Sequence, residues 1–161
     1  MTGGSETART ILIVDDIEDN RVLLERSLAP AGYRTLSAES GAQALAIMTE
    51  KHVDAVLLDW MMPGLSGLDT LRAIREMQSA DSLPVIMCTA LGEEDQIVEA
   101  IESGASDYVV KPISLPVLRA RLATHLSRSQ TIADLDRERR ENKRKMGEQM
   151  RRLMQTRSDC P

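Results

Sequence analysis

The sequence predicts an α/β fold, a doubly wound five-stranded parallel sheet followed by a long C-terminal helix. Five predicted strands, most of them short apolar runs, alternate with segments whose apolar residues recur at helical spacing. This alternation favours parallel strands joined by right-handed helical crossovers. The chain of 161 residues has room for one such domain and an extension, but hardly for two full domains.

The first strand and helix are bounded by charged residues and a glycine. Thr10–Val14 is a β-branched apolar run that ends at Asp15 and Asp16. Apolar residues then recur at helical spacing over 19–31, and Gly32, a residue favoured after helices, ends the predicted helix. The first strand therefore delivers two carboxylates at its C-terminal end.

The second strand is predicted over 33–38, and a helix follows it directly. Ser40 with Gln43 three residues later forms a capping-box pattern, which opens helices by satisfying backbone N–H groups of the first turn. The predicted apolar face of this helix consists of Ala44, Leu45, Ile47 and Met48.

The third strand carries Asp59, the residue on which the prediction of function depends. Ala55–Leu58 is a continuous apolar run that ends at Asp59, and Pro63 and Gly64 then turn the backbone. Such a run predicts a buried parallel strand covered on both faces. Open α/β sheets bind their ligands at the C-terminal ends of strands, so we expect Asp59 to be the reacting group.

The remaining elements repeat this pattern. The fourth and fifth strands are predicted over 83–88 and 107–110 and are followed by Thr89 and Lys111. Three further helices open with residues suited to a first turn: Ser66, Glu93 and Ser114.

The composition excludes several classes of protein. Hydrophobic residues make up 42% and charged residues 28%, which is ordinary for a globular protein. No apolar stretch approaches the roughly 20 residues of a membrane span, and the N-terminus lacks the features of a signal peptide. We therefore expect a cytoplasmic protein. Cys88 and Cys160 have neither disulfide nor metal-ligand spacing, and Cys88 is expected in the core.

The net charge of −5 is unevenly distributed. Residues 128–161 carry ten Lys or Arg and six Asp or Glu, a net of +4, which leaves a net of −9 for residues 1–127. The acidic body argues against a nucleic-acid surface there. The basic tail has charges of mixed sign, as on a solvated helix, and it lacks a helix-turn-helix pattern, so nucleic-acid binding is the lesser option.

Four predicted strand ends carry polar groups that converge on one crevice: Asp15, Asp16, Asp59, Thr89 and Lys111. Three carboxylates this close repel one another, and oxygen ligands of high charge suit a hard divalent cation, here Mg²⁺. A carboxylate beside Mg²⁺ can attack phosphorus and form an aspartyl phosphate. The Lys111 ammonium and the Thr89 hydroxyl would then stabilise the phosphoryl oxygens.

At these positions the chain resembles the receiver domains of two-component response regulators, over about residues 9 to 127. The matching motifs are Ile13–Asp16, Asp59–Gly67, Thr89–Ala90 and Tyr108–Pro112. The resemblance implies the flavodoxin-like and CheY-like strand order 2-1-3-4-5. It also implies a receiver domain over 10–127, followed by a helical extension over 128–161. The composition of residues 1–9 predicts a flexible N-terminus before the first strand.

The same resemblance assigns roles to the site. Asp59 would accept a phosphoryl group from a histidine kinase or a histidine phosphotransfer protein. Mg²⁺ would be bound by Asp16, Asp59 and the backbone carbonyl of Met61, with Asp15 reaching it through water. Lys111 would pair with the phosphoryl group, and the bond from Lys111 to the following proline would be cis.

The resemblance further implies a switch that couples Thr89 to Tyr108. The phosphoryl group would draw the Thr89 hydroxyl inward, and Tyr108 would rotate into the vacated space. This would change the face formed by the fourth helix, fifth strand and fifth helix. The positions that modulate the lifetime of the phosphoryl group in the family are Met61 and Leu91, both apolar, so we expect a long-lived modification.

The extension from Asp134 to Arg157 contains no proline and only one glycine, Gly147. One register places apolar residues on a seam of three- and four-residue steps: Leu115, Leu118, Leu122, Ile132, Met146, Met150 and Leu153. Polar residues interrupt it: His125, Ser129, Asp136, Arg139 and Lys143. We favour a continuation of the last receiver helix that pairs in a parallel homodimer and leads to an effector domain beyond residue 161. The alternative is a solvated single helix.

Two rival functions remain. A haloacid-dehalogenase-like phosphatase also forms an aspartyl phosphate, but it needs a second aspartate two residues after the nucleophile, where this chain has Met61. A phosphorylation-independent scaffold is the other rival, and only a phosphorylation experiment excludes it. We expect a signalling switch that catalyses only its own phosphotransfer and dephosphorylation, and not a turnover enzyme.

Overall fold

All five predicted strands are present in the computed structural model, which describes residues 7–90 and 93–158. The strands are β1 (Thr10–Val14), β2 (Arg34–Ala38), β3 (Ala55–Asp59), β4 (Val85–Ala90) and β5 (Asp107–Lys111). The helices are α1 (Glu18–Leu28), α2 (Gly41–Glu50), α3 (Gly67–Met77), α4 (Glu94–Glu102) and α5 (Leu115–Ser158). The strands pair in parallel in the order β2-β1-β3-β4-β5, which confirms the predicted topology.

Serine caps begin two of the helices, as their sequence signals predict. The Ser40 hydroxyl accepts a hydrogen bond from the backbone N–H of Gln43 at 3.1 Å. The Gln43 side chain in turn accepts from the backbone N–H of Glu39 at 2.7 Å, one residue before the position in a standard capping box. Ser66 accepts from the backbone N–H of Asp69 at 3.1 Å and opens α3.

The end of α1 differs from the prediction. The α-helix stops at Leu28, and a single 3-10 turn over Ala29–Ala31 leads to Gly32, which has a φ of 89°. The proline within this turn has no N–H to continue the α-helical pattern, so the last turn tightens. The N–H of Tyr33 bonds to the carbonyl of Leu28 at 3.3 Å, and β2 therefore begins one residue later than predicted.

Two apolar clusters cover the two faces of the sheet. One joins the sheet to α1 and α5, and the other joins it to α2, α3 and α4. Every residue of β3 is buried, as expected for a central strand covered on both faces. Cys88 lies in the first cluster as predicted, and burial raises the pKa of its thiol to about 12. Asp59 is thereby held at the end of the most protected strand.

Helix α5 is continuous over 44 residues and has two parts. Leu118, Leu122 and Leu126 are buried against the sheet, so the first part of the predicted seam belongs to the core of the chain itself. Every residue over 133–158 is exposed. The exposed apolar residues of the predicted seam, Met146, Met150 and Leu153, therefore all lie in the second part. None of the described helices combines the length and apolar character needed to span a membrane.

Candidate functional site

The C-terminal ends of four neighbouring strands form one acidic crevice with a single lysine beside it. Asp15 follows β1, Asp59 is the last residue of β3, Thr89 lies near the end of β4, and Lys111 ends β5. Parallel pairing of these strands places all four ends at the same edge of the sheet. The side chains of Asp15, Asp59 and Thr89 are buried.

Lys111 joins the crevice through a short ion pair. Its Nζ donates to Oδ1 of Asp59 at 2.8 Å and lies 3.8 Å from Oδ2 of Asp15. The side chain of Lys111 is one-third exposed, whereas that of Asp59 is only 4% exposed, so the pair is reachable from one side. The peptide bond between Lys111 and Pro112 is cis, which confirms the expectation from the family resemblance.

Both members of this pair have raised pKa values, for different reasons. Burial is the main cause of the raised pKa of Asp59, and the charge of Asp15 adds to it, while the hydrogen bond from Lys111 opposes it. For Lys111, burial alone would lower the pKa, but the hydrogen bond and charge of Asp59 outweigh burial and raise it. The two upward pKa shifts are compatible, because the negative charge of Asp15 disfavours ionisation of the Asp59 carboxyl and favours the charged form of Lys111. Asp59 is therefore a stronger base than a solvated aspartate.

Three carboxylates of the crevice lie close enough to bind one cation. Oxygen atoms of Asp15, Asp16 and Asp59 all lie within 4.8 Å of one another. Asp15 and Asp59 are buried and Asp16 is exposed, so the cluster has a protected floor and an open side. These hard oxygen donors and their combined negative charge fit Mg²⁺. Met61, whose carbonyl is the fourth predicted ligand, lies in the loop after β3 with its side chain 70% exposed.

The position of Asp15 is held by residues that the sequence reasoning missed. Its carboxylate accepts hydrogen bonds from the backbone N–H of Ile17 at 2.9 Å and from the Asn20 side chain at 3.2 Å. The guanidinium of Arg21 donates to the Asp15 backbone carbonyl at 2.7 Å. All three partners lie within six residues of Asp15. The sequence pattern that could have predicted these contacts is an aspartate followed by polar residues in the first turn of a helix.

Thr89 has an unusual environment for a hydroxyl group. Its side chain is fully buried, and its Oγ1 has no hydrogen-bond partner among the residues that the structure describes. Tyr108, its predicted switch partner, is half-buried on β5 and packs against the apolar cluster on the α2–α3–α4 side of the sheet. Leu91, the second position linked to phosphoryl lifetime, lies outside the described residues, as does Cys160.

The start of α3 packs tightly against the backbone that carries Asp59. A Cβ atom on Gly67 would lie 2.2 Å from the Asp59 carbonyl oxygen and 2.8 Å from the Cα of Trp60. The N–H of Gly67 donates to the Trp60 carbonyl at 3.1 Å. Only glycine permits this approach, which fixes the loop that follows Asp59.

Strand β5 is also tied to α5 by the half-buried carboxylate of Asp107. Asp107 binds Arg121 at 2.7 Å and the His125 ring at 3.0 Å, both on α5. Burial alone would raise the pKa of Asp107, but the hydrogen bonds from His125, Arg121 and the N–H of Tyr108 outweigh it, and the pKa is lowered. The strand that ends at Lys111 is thereby linked to the long helix.

The site and the fold together define a receiver domain, and comparison with known proteins agrees. The model of the response regulator receiver domain family matches residues 11–123. The chain belongs to this family, whose members are signalling switches of two-component systems.

Three similar proteins show how much of the chain is shared. The phosphate regulon transcriptional regulatory protein PhoB of Pseudomonas aeruginosa is 43% identical over 121 residues, which are 75% of this chain and 53% of PhoB. The chemotaxis protein CheY of the same organism is 40% identical over 113 residues, 70% of this chain and 91% of CheY. The crystal structure of NtrX from Brucella abortus superposes with a TM-score of 0.74 at 30% identity, covering 80% of this chain and 29% of NtrX. This chain spans about half the length of the PhoB relatives that it matches.

Proposed function

We propose that this chain is a phosphoacceptor switch, in which Asp59 receives a phosphoryl group from a histidine kinase or a histidine phosphotransfer protein. The observation that carries the proposal is the Asp59 carboxylate itself, buried, 2.8 Å from the Lys111 ammonium and clustered with two further carboxylates. A structural ion pair would not need the additional negative charge of Asp15 and Asp16, which opposes burial of a third carboxylate.

In the proposed reaction, one oxygen of Asp59 attacks the phosphorus atom of a phosphohistidine. A P–O bond forms as the P–N bond breaks, and the electron pair of that bond returns to the histidine nitrogen. Lys111 holds Oδ1 of Asp59, and Oδ2 accepts no hydrogen bond from the described residues, so one oxygen is oriented while the other is available. The ammonium group of Lys111 then compensates the negative charge of the phosphoryl oxygens.

We include Mg²⁺ in this proposal because the clustered carboxylate oxygens are the kind of ligand that this ion prefers. Asp16, Asp59 and the backbone carbonyl of Met61 would hold the ion, with Asp15 reaching it through water. When bound, the cation would neutralise the carboxylate cluster and the incoming phosphate oxygens. Asp15 is kept in position for this role by its hydrogen bonds from Ile17 and Asn20.

The switch in this proposal begins at Thr89. Its buried hydroxyl lacks a partner among the described residues, and a phosphoryl oxygen on Asp59 would supply one. Movement of Thr89 toward Asp59 would open space for Tyr108 to rotate inward. Because Tyr108 directly follows Asp107, which binds α5, the rotation would reach both the α4–β5–α5 face and the long helix.

The output of the switch is proposed to be a change in homodimerisation or in a linked effector. The receiver would span residues 10–127, and residues 128–161 would form the helical extension. PhoB is named a transcriptional regulatory protein and this chain covers 53% of its length, which supports a linked effector domain as the output. The exposed, apolar Met61 side chain offers no polar group to orient a hydrolytic water, so we expect a long-lived phosphoryl group.

Intact mass spectrometry after treatment with acetyl phosphate tests the proposal. With Mg²⁺ present, the wild-type chain should gain one phosphoryl group, and Asp59→Asn should gain none. Removal of Mg²⁺ by a chelator should suppress the modification. A wild-type chain that stays unmodified, also with a histidine phosphotransfer protein as donor, would leave the phosphorylation-independent scaffold as the function.

A further inference from the structure

The free part of α5 carries an apolar stripe with a cation at each end. Lys143, Met146, Met150, Leu153 and Arg157 lie within about 80° of one another around a helix of 3.6 residues per turn. We call these five residues the basic stripe. The three apolar side chains are between 53% and 69% exposed. Residues 143–157 contain six Lys or Arg and one Glu, a net charge of +5.

Helix α4 presents the complementary pattern. Glu94, Val98, Ile101 and Glu102 lie within about 100° around the helix axis and are all exposed, and we call them the acidic face. Val98 and Ile101 are 54% and 53% exposed. Residues 93–102 contain five carboxylates and no Lys or Arg. Among the described residues, neither Glu94 nor Glu102 forms an ion pair.

Parallel pairing of two basic stripes brings like charges together. In an in-register parallel dimer, each seam residue meets its own copy, so Arg139, Lys143 and Arg157 would each face an identical cation. The positions beside the seam offer no carboxylate to offset this, because Gly147, Gln149, Met154 and Thr156 occupy them. The stripe is therefore better matched to an acidic partner than to another stripe.

The acidic face that the stripe meets must belong to another molecule. Residues 133–158 are exposed throughout, so the stripe makes no packed contact with its own receiver domain. Helix α5 is unbroken and packs on the sheet face opposite to α4, so it does not fold back onto α4. Beyond Arg140, about 25 Å of helix extends to Arg157 at 1.5 Å per residue, which exceeds the length of α4.

We propose that the basic stripe of one copy docks on the acidic face of a second copy, and that the stripe of the second copy docks on the acidic face of the first in return. Apolar side chains meet at the centre of each contact. The Cα atoms of Lys143 and Arg157 are about 21 Å apart along the helix, against about 12 Å for Glu94 and Glu102. The long side chains of the two cations therefore reach inward to the carboxylates from both ends of the contact. The two reciprocal contacts are related by a two-fold axis and close the assembly at two chains. The proposal rests on the homodimer named under the proposed function and describes how its two chains bind each other. The binding it describes does not require that Asp59 is phosphorylated.

A charge-reversal cycle tests this pairing by sedimentation velocity across the micromolar range, with and without acetyl phosphate. One variant reverses the stripe (Lys143→Glu with Arg157→Glu), one reverses the face (Glu94→Lys with Glu102→Lys), and one carries all four changes. Each reversal alone should weaken association roughly tenfold or more, since exposed pairs turn from attraction to repulsion. The fourfold variant should restore it, and added salt should weaken the wild-type pair.

The control variant Arg26→Glu with Lys51→Glu changes the net charge by −4, as the stripe variant does, but at two exposed cations of the receiver, and it should associate like the wild type. Circular dichroism checks that each variant is folded, and mass spectrometry reports phosphorylation of Asp59 separately. Association that survives reversal of the acidic face would overturn the proposal and indicate parallel helix pairing. A wild-type chain that stays monomeric in both phosphorylation states would overturn it as well.

Discussion

Thr89→Val should stabilise the unmodified protein, although it removes a group that the proposed switch requires. The side chain is fully buried and its hydroxyl has no partner among the described residues. An unsatisfied buried hydroxyl costs about 1–3 kcal/mol, and valine has nearly the same shape without that cost. We therefore expect the free energy of unfolding to rise by roughly 1 kcal/mol or more.

Urea denaturation measures this effect, and the protein supplies a matched control. Thr70 is equally buried, but its hydroxyl donates to the Ser66 carbonyl at 2.8 Å. Thr70→Val should thus lower the free energy of unfolding by about 1 kcal/mol. The two midpoints should move in opposite directions with unchanged slopes. A loss of stability in Thr89→Val would refute the reasoning, because it would mean that the hydroxyl is already satisfied in the unmodified protein.

The effect of phosphorylation provides a second test of Thr89. In the wild-type chain, a phosphoryl group on Asp59 would give the Thr89 hydroxyl its missing partner. Treatment with acetyl phosphate and Mg²⁺ should therefore raise the urea midpoint of the wild type more than that of Thr89→Val. Equal increases in both proteins would separate Thr89 from the switch.

Three further predictions concern Gly67, Asp107 and Lys111. Gly67→Ala should destabilise the protein by about 1–3 kcal/mol and slow phosphorylation, because its Cβ would lie 2.2 Å from the Asp59 carbonyl oxygen. In the control variant Gly147→Ala, the added Cβ has no neighbouring atom within 4 Å, so the rate of phosphorylation should be unchanged. Equal rates of phosphorylation in Gly67→Ala and Gly147→Ala would contradict the role given to Gly67. Asp107→Asn should lower the free energy of unfolding at neutral pH, because a carboxylate with a lowered folded-state pKa stabilises the fold when it is ionised. The difference from the wild type should begin to shrink as the pH falls below about 4 and disappear only below the lowered pKa of Asp107. Urea midpoints that differ equally at all pH values would be inconsistent with this. Lys111→Ala should still accept a phosphoryl group by mass yet show no phosphorylation-dependent change in association, and an unaltered response would remove Lys111 from the switch.

Local signals in the sequence were sufficient to predict most of the fold. Every strand except β2 is marked by an apolar run, and the Ser40 and Ser66 caps act within three residues of themselves. The alternation of strand and helix leaves few topologies, and strand ends in a parallel sheet meet at one edge. The proximity of the Asp59 and Lys111 side chains, which are 52 residues apart in the sequence, could be predicted from that topology.

Contacts that depend on distant backbone atoms could not be predicted in this way. Arg75 donates to the carbonyl oxygens of Leu83 at 2.8 Å and Gly104 at 2.7 Å, and burial lowers its pKa, yet its spacing on α3 resembles that of a surface arginine. The need for glycine at position 67 likewise depends on the backbone at the end of β3. No periodicity in the sequence marks either contact.

The predicted seam on α5 shows that a pattern of apolar residues does not identify which surface packs against those residues. Leu118 and Leu122 have the same four-residue spacing as Met146 and Met150, but the first pair is buried in the core and the second pair is exposed. Both a core-facing helix and a coiled coil require this spacing. Only the three-dimensional structure separates the part of α5 that is already covered from the part that is free to bind.

Peptide mapping after reductive trapping identifies the residue that accepts the phosphoryl group. The chain is treated with acetyl phosphate and Mg²⁺, and borohydride then reduces any acyl phosphate to the alcohol, which converts the modified aspartate to homoserine. Mass spectrometry of the peptides should locate homoserine at position 59 and at no other carboxylate. Homoserine at Asp15 or Asp16, or a phosphoryl group on a side chain elsewhere, would contradict the assignment of Asp59 as the phosphoacceptor.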